Sequence, residues 1–195
     1  MNRIIFYGIC MVGFFSCTNK KHNAEAAIND VHSQETSTNF FPVTNFIKGQ
    51  ILEIKKNGAN PLKITTVKEH SDSAWIKMED LQTELSAFLQ PVIDTGNLTA
   101  MFSEKKFLDQ TLDAYTFTYD PINILPDSMQ LLHWDVYVNP ADGKIKRIYM
   151  VKKADSASVQ QLTWQAGKWG KIVTLKNTAG GNTTVAKEQM IIWNF

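Results

Sequence analysis

The chain has 195 residues, of which 44% are apolar and 20% are charged, and this length and composition predict one folded domain with a sizeable core. Removing the first 16 residues would take away Arg3 and leave 19 basic against 19 acidic side chains, so charge gives no reason to expect nucleic acid as a partner. Both cysteines, Cys10 and Cys17, lie near the start, which excludes a framework of internal disulfides.

The first 17 residues have the pattern of a bacterial export signal. Arg3 precedes a twelve-residue, almost wholly apolar run at positions 4–15, which is shorter than the roughly 20 apolar residues of a transmembrane helix. The segment Phe14-Phe15-Ser16-Cys17 then resembles the lipobox of bacterial lipoproteins, with phenylalanines where aliphatic and small residues are usual. The resemblance implies that residues 1–16 are a signal peptide and that Cys17 carries a diacylglyceryl group and an acyl chain such as palmitate.

A lipid on Cys17 implies a protein held at the cell envelope. Thr18 stands where an aspartate would favour retention in the inner membrane, so the resemblance implies the outer membrane of a diderm host, facing the periplasm or the surface. An ordinary secretory signal with an incidental Cys17 is the alternative. Residues 17–39 are otherwise polar, which predicts a lipidated cysteine followed by a flexible tether, with a single domain over residues 40–195.

Two amphipathic helices are predicted at the start of the domain. Apolar residues recur at spacings of three and four from Val43 to Ile54, and Asn57-Gly58 suits the C-terminal cap of a helix. The same spacing between Ile76 and Gln90 predicts a second helix, which Pro91 ends.

The rest of the domain is predicted to be antiparallel sheet. Leu62–Val67 is rich in β-branched residues, and after Leu98 the apolar residues recur with a period of two. We therefore predict an α+β fold in which two N-terminal helices pack on a curved antiparallel sheet of about six to eight strands.

One hairpin of this sheet carries a second resemblance. Tyr137–Ile145 (YVNPADGKI) is predicted to reverse the chain, with Gly143 at positive φ. These nine residues resemble the strand-turn-strand of PepSY-type periplasmic domains, and the resemblance implies no particular function.

The common local signatures of catalysis are missing from the sequence. It contains no GxSxG, HExxH, P-loop, GxGxxG after a strand or CxxC motif, which predicts a protein without catalytic residues, metal or cofactor. His133, Asp135 and Tyr137 share one face of a predicted strand. An exposed polar face is the simpler interpretation, and a binding or acid-base site is the alternative.

Aromatic residues supply a candidate binding surface. Trp164 and Trp169 flank Ala166-Gly167, and a two-residue turn there would place both indoles on one face of the sheet. The predicted surface consists of Trp164, Trp169, Tyr137, Tyr149 and His133. Cross-strand packing that stabilises the hairpins is the alternative.

These observations together predict a lipid-anchored, non-enzymatic module that binds a partner or ligand at the cell envelope. Its partners would be the membrane, through the lipid, and an envelope protein or a glycan. A carrier of a lipid or other apolar ligand, held in a cavity between sheet and helices, is the alternative function. An enzyme of a class without local signatures is the third.

Overall fold

The computed structural model describes residues 39–58, 60–178 and 181–194, and residues 34–195 form one compact unit. The predicted signal peptide, Cys17 and the predicted tether up to residue 38 lie outside the described residues. Within these ranges α1 (Val43–Asn57) is the only helix longer than one turn, and no helix is long and apolar enough to cross a membrane. The strands are β1 (Leu62–Val67), β2 (His70–Trp75), β3 (Phe102–Asp109), β4 (Ala114–Pro121), β5 (Leu131–Val138), β6 (Ile145–Lys153), β7 (Ser158–Gln165), β8 (Trp169–Asn177) and β9 (Thr183–Ile192).

All nine strands form one antiparallel sheet in the order β2-β1-β9-β8-β7-β6-β5-β4-β3. From β3 to β9 each strand pairs with the next one in sequence, so this part of the sheet is a meander of hairpins. The turn between β5 and β6 contains Gly143 at φ 68°, as predicted. β1 then pairs with β9, with Leu62 opposite Ile192, and this long-range pairing adds the hairpin β1–β2 to the end of the meander.

The predicted fold class is wrong both in the number of strands and in the number of helices. The sheet has nine strands rather than six to eight, because the polar segment His70–Trp75 pairs with β1 as a fully exposed edge strand. Only one of the two predicted helices forms. The segment predicted as the second helix contains a single α-helical turn, α2 (Leu81–Glu84), and a 3-10 turn at Ser86–Phe88.

A proline and a lysine account for the end of this second segment. In a continuous α-helix the carbonyl of Ala87 would accept a hydrogen bond from the amide of residue 91, but Pro91 has no N–H. Lys152 of β6 donates through Nζ to the carbonyls of Ala87 and Gln90 instead, the second at 2.8 Å. Burial lowers the pKa of Lys152 to about 8.

The first predicted helix is confirmed, and it covers one face of the sheet, here called the inner face. Gly58 caps α1 at φ 73°, in the left-handed conformation that favours glycine. Val43, Ile47 and Ile51 of the helix are buried. The inner face supplies large side chains with almost no exposure to this core, namely Phe102, Tyr119, Trp134, Ile148, Met150, Leu162 and Trp164.

Aromatic packing fills the centre of this core. Trp134 and Tyr119 stack with ring centroids 4.4 Å apart and planes 7° from parallel. Phe40, at the start of the domain, packs edge-on against both of these rings. Because neither Trp134 nor Tyr119 exposes any surface, no space for a water molecule or a ligand adjoins these rings.

Candidate functional site

The face of the sheet opposite α1, here called the outer face, carries the polar side chains of β3 to β6. Pairing places Thr118 of β4, Asp135 of β5 and Tyr149 of β6 side by side on it. Successive side chains of a strand point to opposite faces, so His133 and Tyr137 lie on the outer face with Asp135. The sequence prediction that these three residues share one face is confirmed by their hydrogen bonds.

His133 lies between two carboxylates. Its Nδ1 is 2.9 Å from Oδ1 of Asp120, and its Nε2 is 3.1 Å from Oδ1 of Asp135. A neutral imidazole donates through only one nitrogen, whereas the cationic form donates through both and satisfies both carboxylates. The hydrogen bond to Asp135 is the main reason that the pKa of His133 is raised above its usual value, against the effect of burial.

Asp135 is buried and accepts three hydrogen bonds. Besides His133, the hydroxyl of Thr118 donates to Oδ1 at 2.7 Å and the phenol of Tyr137 donates to Oδ2 at 3.1 Å. Burial by itself would raise the pKa of Asp135, but the hydrogen bonds from His133 and Thr118 outweigh it and lower that pKa. Burial, reinforced by the charge of Asp135, raises the pKa of Tyr137 to about 12, so this phenol stays a donor.

Lys105 completes the network at the edge of the sheet. Its Nζ lies 3.2 Å from Oδ2 of Asp120, so basic and acidic side chains alternate from Lys105 through Asp120 and His133 to Asp135. Both ring nitrogens of His133 are occupied by these contacts. When His133 is protonated, the two cations balance the two carboxylates. No ring nitrogen of His133 is left to exchange a proton with a substrate.

Arg147 of β6 lies beside this network and is not part of it. Its guanidinium stacks over the ring of Tyr137 at 4.4 Å from the centroid. In the part of the chain that the structure describes, no residue accepts a hydrogen bond from Arg147. Pairing continues the row across the outer face from Tyr137 and Arg147 to Gln165 and Trp169.

Trp164 must be removed from the predicted binding surface, because it is completely buried in the core. The chain reverses through three residues, 166–168, rather than two. This loop pairs Gln165 with Trp169 and Trp164 with Gly170, so the two indoles lie on opposite faces of the sheet. Of the predicted surface residues, Trp169, Tyr137, Tyr149 and His133 remain together on the outer face.

Four residues of the site were missed from the sequence: Lys105, Thr118, Asp120 and Arg147. Each lies on the outer face by the same alternation that placed His133 and Asp135 there. The missing information was the pairing between strands, because the nine residues that separate β4 from β5 do not define a register. The predicted lipidation site, Cys17, lies outside the described residues.

The site does not have the geometry of a metal centre. Within residues 39–58, 60–178 and 181–194, no group of three or more His, Cys, Asp or Glu side chains is placed to hold a metal ion. The two carboxylates contact opposite sides of the His133 ring and do not converge on one point. Comparisons of the chain with protein-family models, with curated proteins and with solved structures found no match.

Proposed function

We propose that this chain is a lipid-anchored protein of the cell envelope, and that its domain binds a protein partner through the outer face rather than acting as an enzyme. The segment Phe14-Phe15-Ser16-Cys17 supports the anchor. The partner presents an acidic segment to the outer face. The observation that carries this part of the proposal is the unpaired guanidinium of Arg147 beside a network whose other charges are already paired.

The hydrogen bonds of His133 support a non-enzymatic role. In general acid-base catalysis a side chain takes a proton from the substrate and later returns one, so one of its atoms must be free to contact the substrate. His133 is bonded to Asp120 and Asp135 at its two nitrogens, which favours one cationic state. These hydrogen bonds fix the position of Asp135. Asp135 in turn holds Tyr137, whose ring lies under the guanidinium of Arg147.

Arg147 has the properties of a recognition residue. Contact with the ring of Tyr137 already restricts the guanidinium, so less side-chain entropy remains to be lost when a partner binds. The five N–H groups of a guanidinium match the two oxygens of a carboxylate, which is the reason that we assign an acidic partner. Trp169 and Tyr149 are half-buried on the same face and add the aromatic surface common at protein interfaces.

A carrier of an apolar ligand has less support. The space between α1 and the inner face, where such a cavity would lie, is occupied by Trp134, Tyr119 and Leu162, none of which is exposed. A ligand there would have to displace these side chains. The outer face needs no rearrangement to accept a partner.

We expect Cys17→Ser to release the protein from membranes without unfolding the domain. Each buried CH₂ of an acyl chain contributes about 0.8 kcal/mol to membrane binding, and the substitution removes the whole lipid. Cys17 lies 22 positions before the first residue of the described domain, so the domain should remain folded. Fractionation of cells that express wild type and variant measures the result. Equal membrane association of both proteins would refute the lipid anchor.

The partner surface can be tested with Arg147→Gln. We expect the amount of co-purifying partner, recovered from crosslinked native envelopes with the lipidated full-length protein, to fall about tenfold or more, as for the central residues of an interface. Lys56→Gln is the matched control. It removes one positive charge from an exposed position on α1, on the other side of the domain.

Two results would contradict the outer-face proposal. One is recovery of the partner by Arg147→Gln at the level of wild type. The other is an equal loss with Lys56→Gln, since that would indicate non-specific attraction by positive charge. Recovery of a glycan in place of a protein would refute the assignment of the partner's class.

A further inference from the structure

The turn between β3 and β4 exposes a cluster of large apolar side chains at the edge of the sheet. The cluster, here called the apolar tip, consists of Leu108, Leu112 and Tyr115, each with between 38% and 49% of its surface exposed. Leu108 and Tyr115 are direct cross-strand partners. Contiguous exposed apolar residues mark surfaces that contact another molecule or a membrane.

Hydrogen bonds hold this turn in a fixed conformation. Oδ1 of Asp109 accepts the backbone N–H of Thr111 at 2.9 Å and that of Leu112 at 3.0 Å. Nζ of Lys146, on β6, donates to the carbonyls of Leu112 and Asp113, both at 3.0 Å. Leu112 is therefore presented to solvent by an ordered turn, and little conformational entropy remains to be lost on binding.

A lysine accompanies the apolar residues of the tip. Nζ of Lys106 lies 5.2 Å from the ring centroid of Tyr115 and 5.1 Å from that of Phe117. A lysine placed in this way can lay its aliphatic stem along apolar surface while the amine reaches lipid headgroups.

The tether that follows Cys17 allows the tip to reach the bilayer that holds the lipid. Cys17 and Asn39 are separated by 21 residues, which can span at most about 75 Å when fully extended. The described domain begins beside Tyr119, because Phe41 donates its backbone N–H to that phenol at 3.4 Å. Tyr119 is only four residues from Tyr115 along β4, so the membrane that holds the lipid lies within reach of the tip.

We propose that the apolar tip inserts into the interfacial region of the bilayer that holds the lipid on Cys17, and so fixes the orientation of the domain on the membrane. This inference depends on the lipid anchor of the proposed function. Insertion of one hairpin tip is weak on its own. It therefore orients an anchored domain but does not retain a protein without the lipid during cell fractionation.

The inference can be tested with a chain that begins at residue 18, which lacks the acylated cysteine and retains the compact unit of residues 34–195. Vesicles of phosphatidylcholine alone, and of phosphatidylcholine with one quarter phosphatidylglycerol, are titrated and co-sedimented with it. We expect binding to both compositions at millimolar lipid. We expect Leu108→Asp and Leu112→Asp each to lower the partition coefficient about tenfold.

Leu52→Asp is the matched control, since Leu52 is 59% exposed on α1 and lies outside the tip. It should bind vesicles as the unsubstituted chain does, and circular dichroism should show that all variants are folded. Absence of vesicle binding by the unsubstituted chain would overturn the inference, as would an equal loss with Leu52→Asp. Binding that requires phosphatidylglycerol and disappears in salt would overturn it too. Apolar insertion requires no anionic lipid and persists when salt screens charges.

A second copy of the chain is the competing occupant of the tip. If sedimentation in the absence of lipid shows a dimer that Leu108→Asp dissociates, and the vesicles bind neither form, the tip is an interface between copies and the inference is wrong. The chain used in the vesicle assay lacks Cys17, so a negative result there says nothing against the lipid anchor. Only the fractionation of Cys17→Ser tests the anchor.

Discussion

Trp164→Ala is expected to lower the free energy of unfolding by about 3–5 kcal/mol, the usual cost of truncating a fully buried aromatic side chain. Trp164 exposes no surface. Its ring contacts Phe88 edge-on, with centroids 5.2 Å apart, and Trp193 at 4.8 Å. A loss of this size would remove a large part of the stability of a typical domain, which is about 5–15 kcal/mol.

Trp169→Ala is the matched comparison. It removes the same type of side chain from the other side of the loop at residues 166–168, where Trp169 lies on the outer face. Trp169 is only half-buried there, so we expect a loss of about 1 kcal/mol or less. Urea denaturation of both variants, followed by circular dichroism, measures the difference. Trp164→Phe keeps the test possible if Trp164→Ala does not fold, and it should lie between the other two. Equal effects at positions 164 and 169 would contradict the three-residue loop.

Patterns within single elements gave correct predictions for much of the fold. The spacing of Val43, Ile47 and Ile51 predicted α1 because one helix buries one stripe of its surface. Strict alternation predicted β4 and β5 because each strand has one face in the core and one face in solvent. The conformation of Gly143 was also predicted correctly, since a tight reversal between paired strands requires positive φ there.

Errors arose where another element decides the outcome. Leu81, Leu85 and Phe88 are buried, as their helical spacing indicated, but the packing of a short segment against the sheet satisfies that burial without a continuous helix. Lys152, more than 60 residues later, supplies the donor that the carbonyls of Ala87 and Gln90 need. Strand β2 was missed because an exposed edge strand has no apolar pattern to recognise.

The candidate site was predictable only along one strand. Alternation placed His133, Asp135 and Tyr137 on one face, because this needs no information about neighbouring strands. Asp120 and Arg147 join them through strand pairing, which depends on loop lengths and on a bulge near the end of β5. For the same reason a loop one residue longer than predicted moved Trp164 from the surface to the core.

Asp135→Ala is expected to lower the free energy of unfolding by about 3 kcal/mol near pH 5. The substitution leaves the cationic His133 and the hydroxyls of Thr118 and Tyr137 without their shared acceptor in a partly buried site. Asp120→Ala is the matched control, since it removes the other carboxylate that contacts His133. Asp120 is more exposed, so water can replace it and the loss should be about 1 kcal/mol or less.

The effect of Asp135→Ala should depend on pH in a direction set by the two pKa shifts. The pKa of His133 is raised from 6.5 in the folded protein, so its stabilising contribution is complete below about pH 6.5 and is lost as the pH rises through the folded value. The pKa of Asp135 is lowered from 3.8, so its contribution is present above about pH 4 and is lost as the pH falls through the folded value. The difference in stability between wild type and Asp135→Ala should therefore be largest between about pH 4 and 6.5.

Urea denaturation at pH 5 and pH 9 measures this dependence. At pH 9 the difference should shrink but not vanish, because Thr118 and Tyr137 still donate to Asp135 in the wild type. Titration of the His133 ring protons by NMR provides a second measurement, in which Asp135→Asn should lower the pKa of His133 by removing the charge that favours the imidazolium. A wild-type pKa of His133 at or below 6.5, or an equal stability loss at both pH values, would mean that the carboxylates do not stabilise the imidazolium in solution.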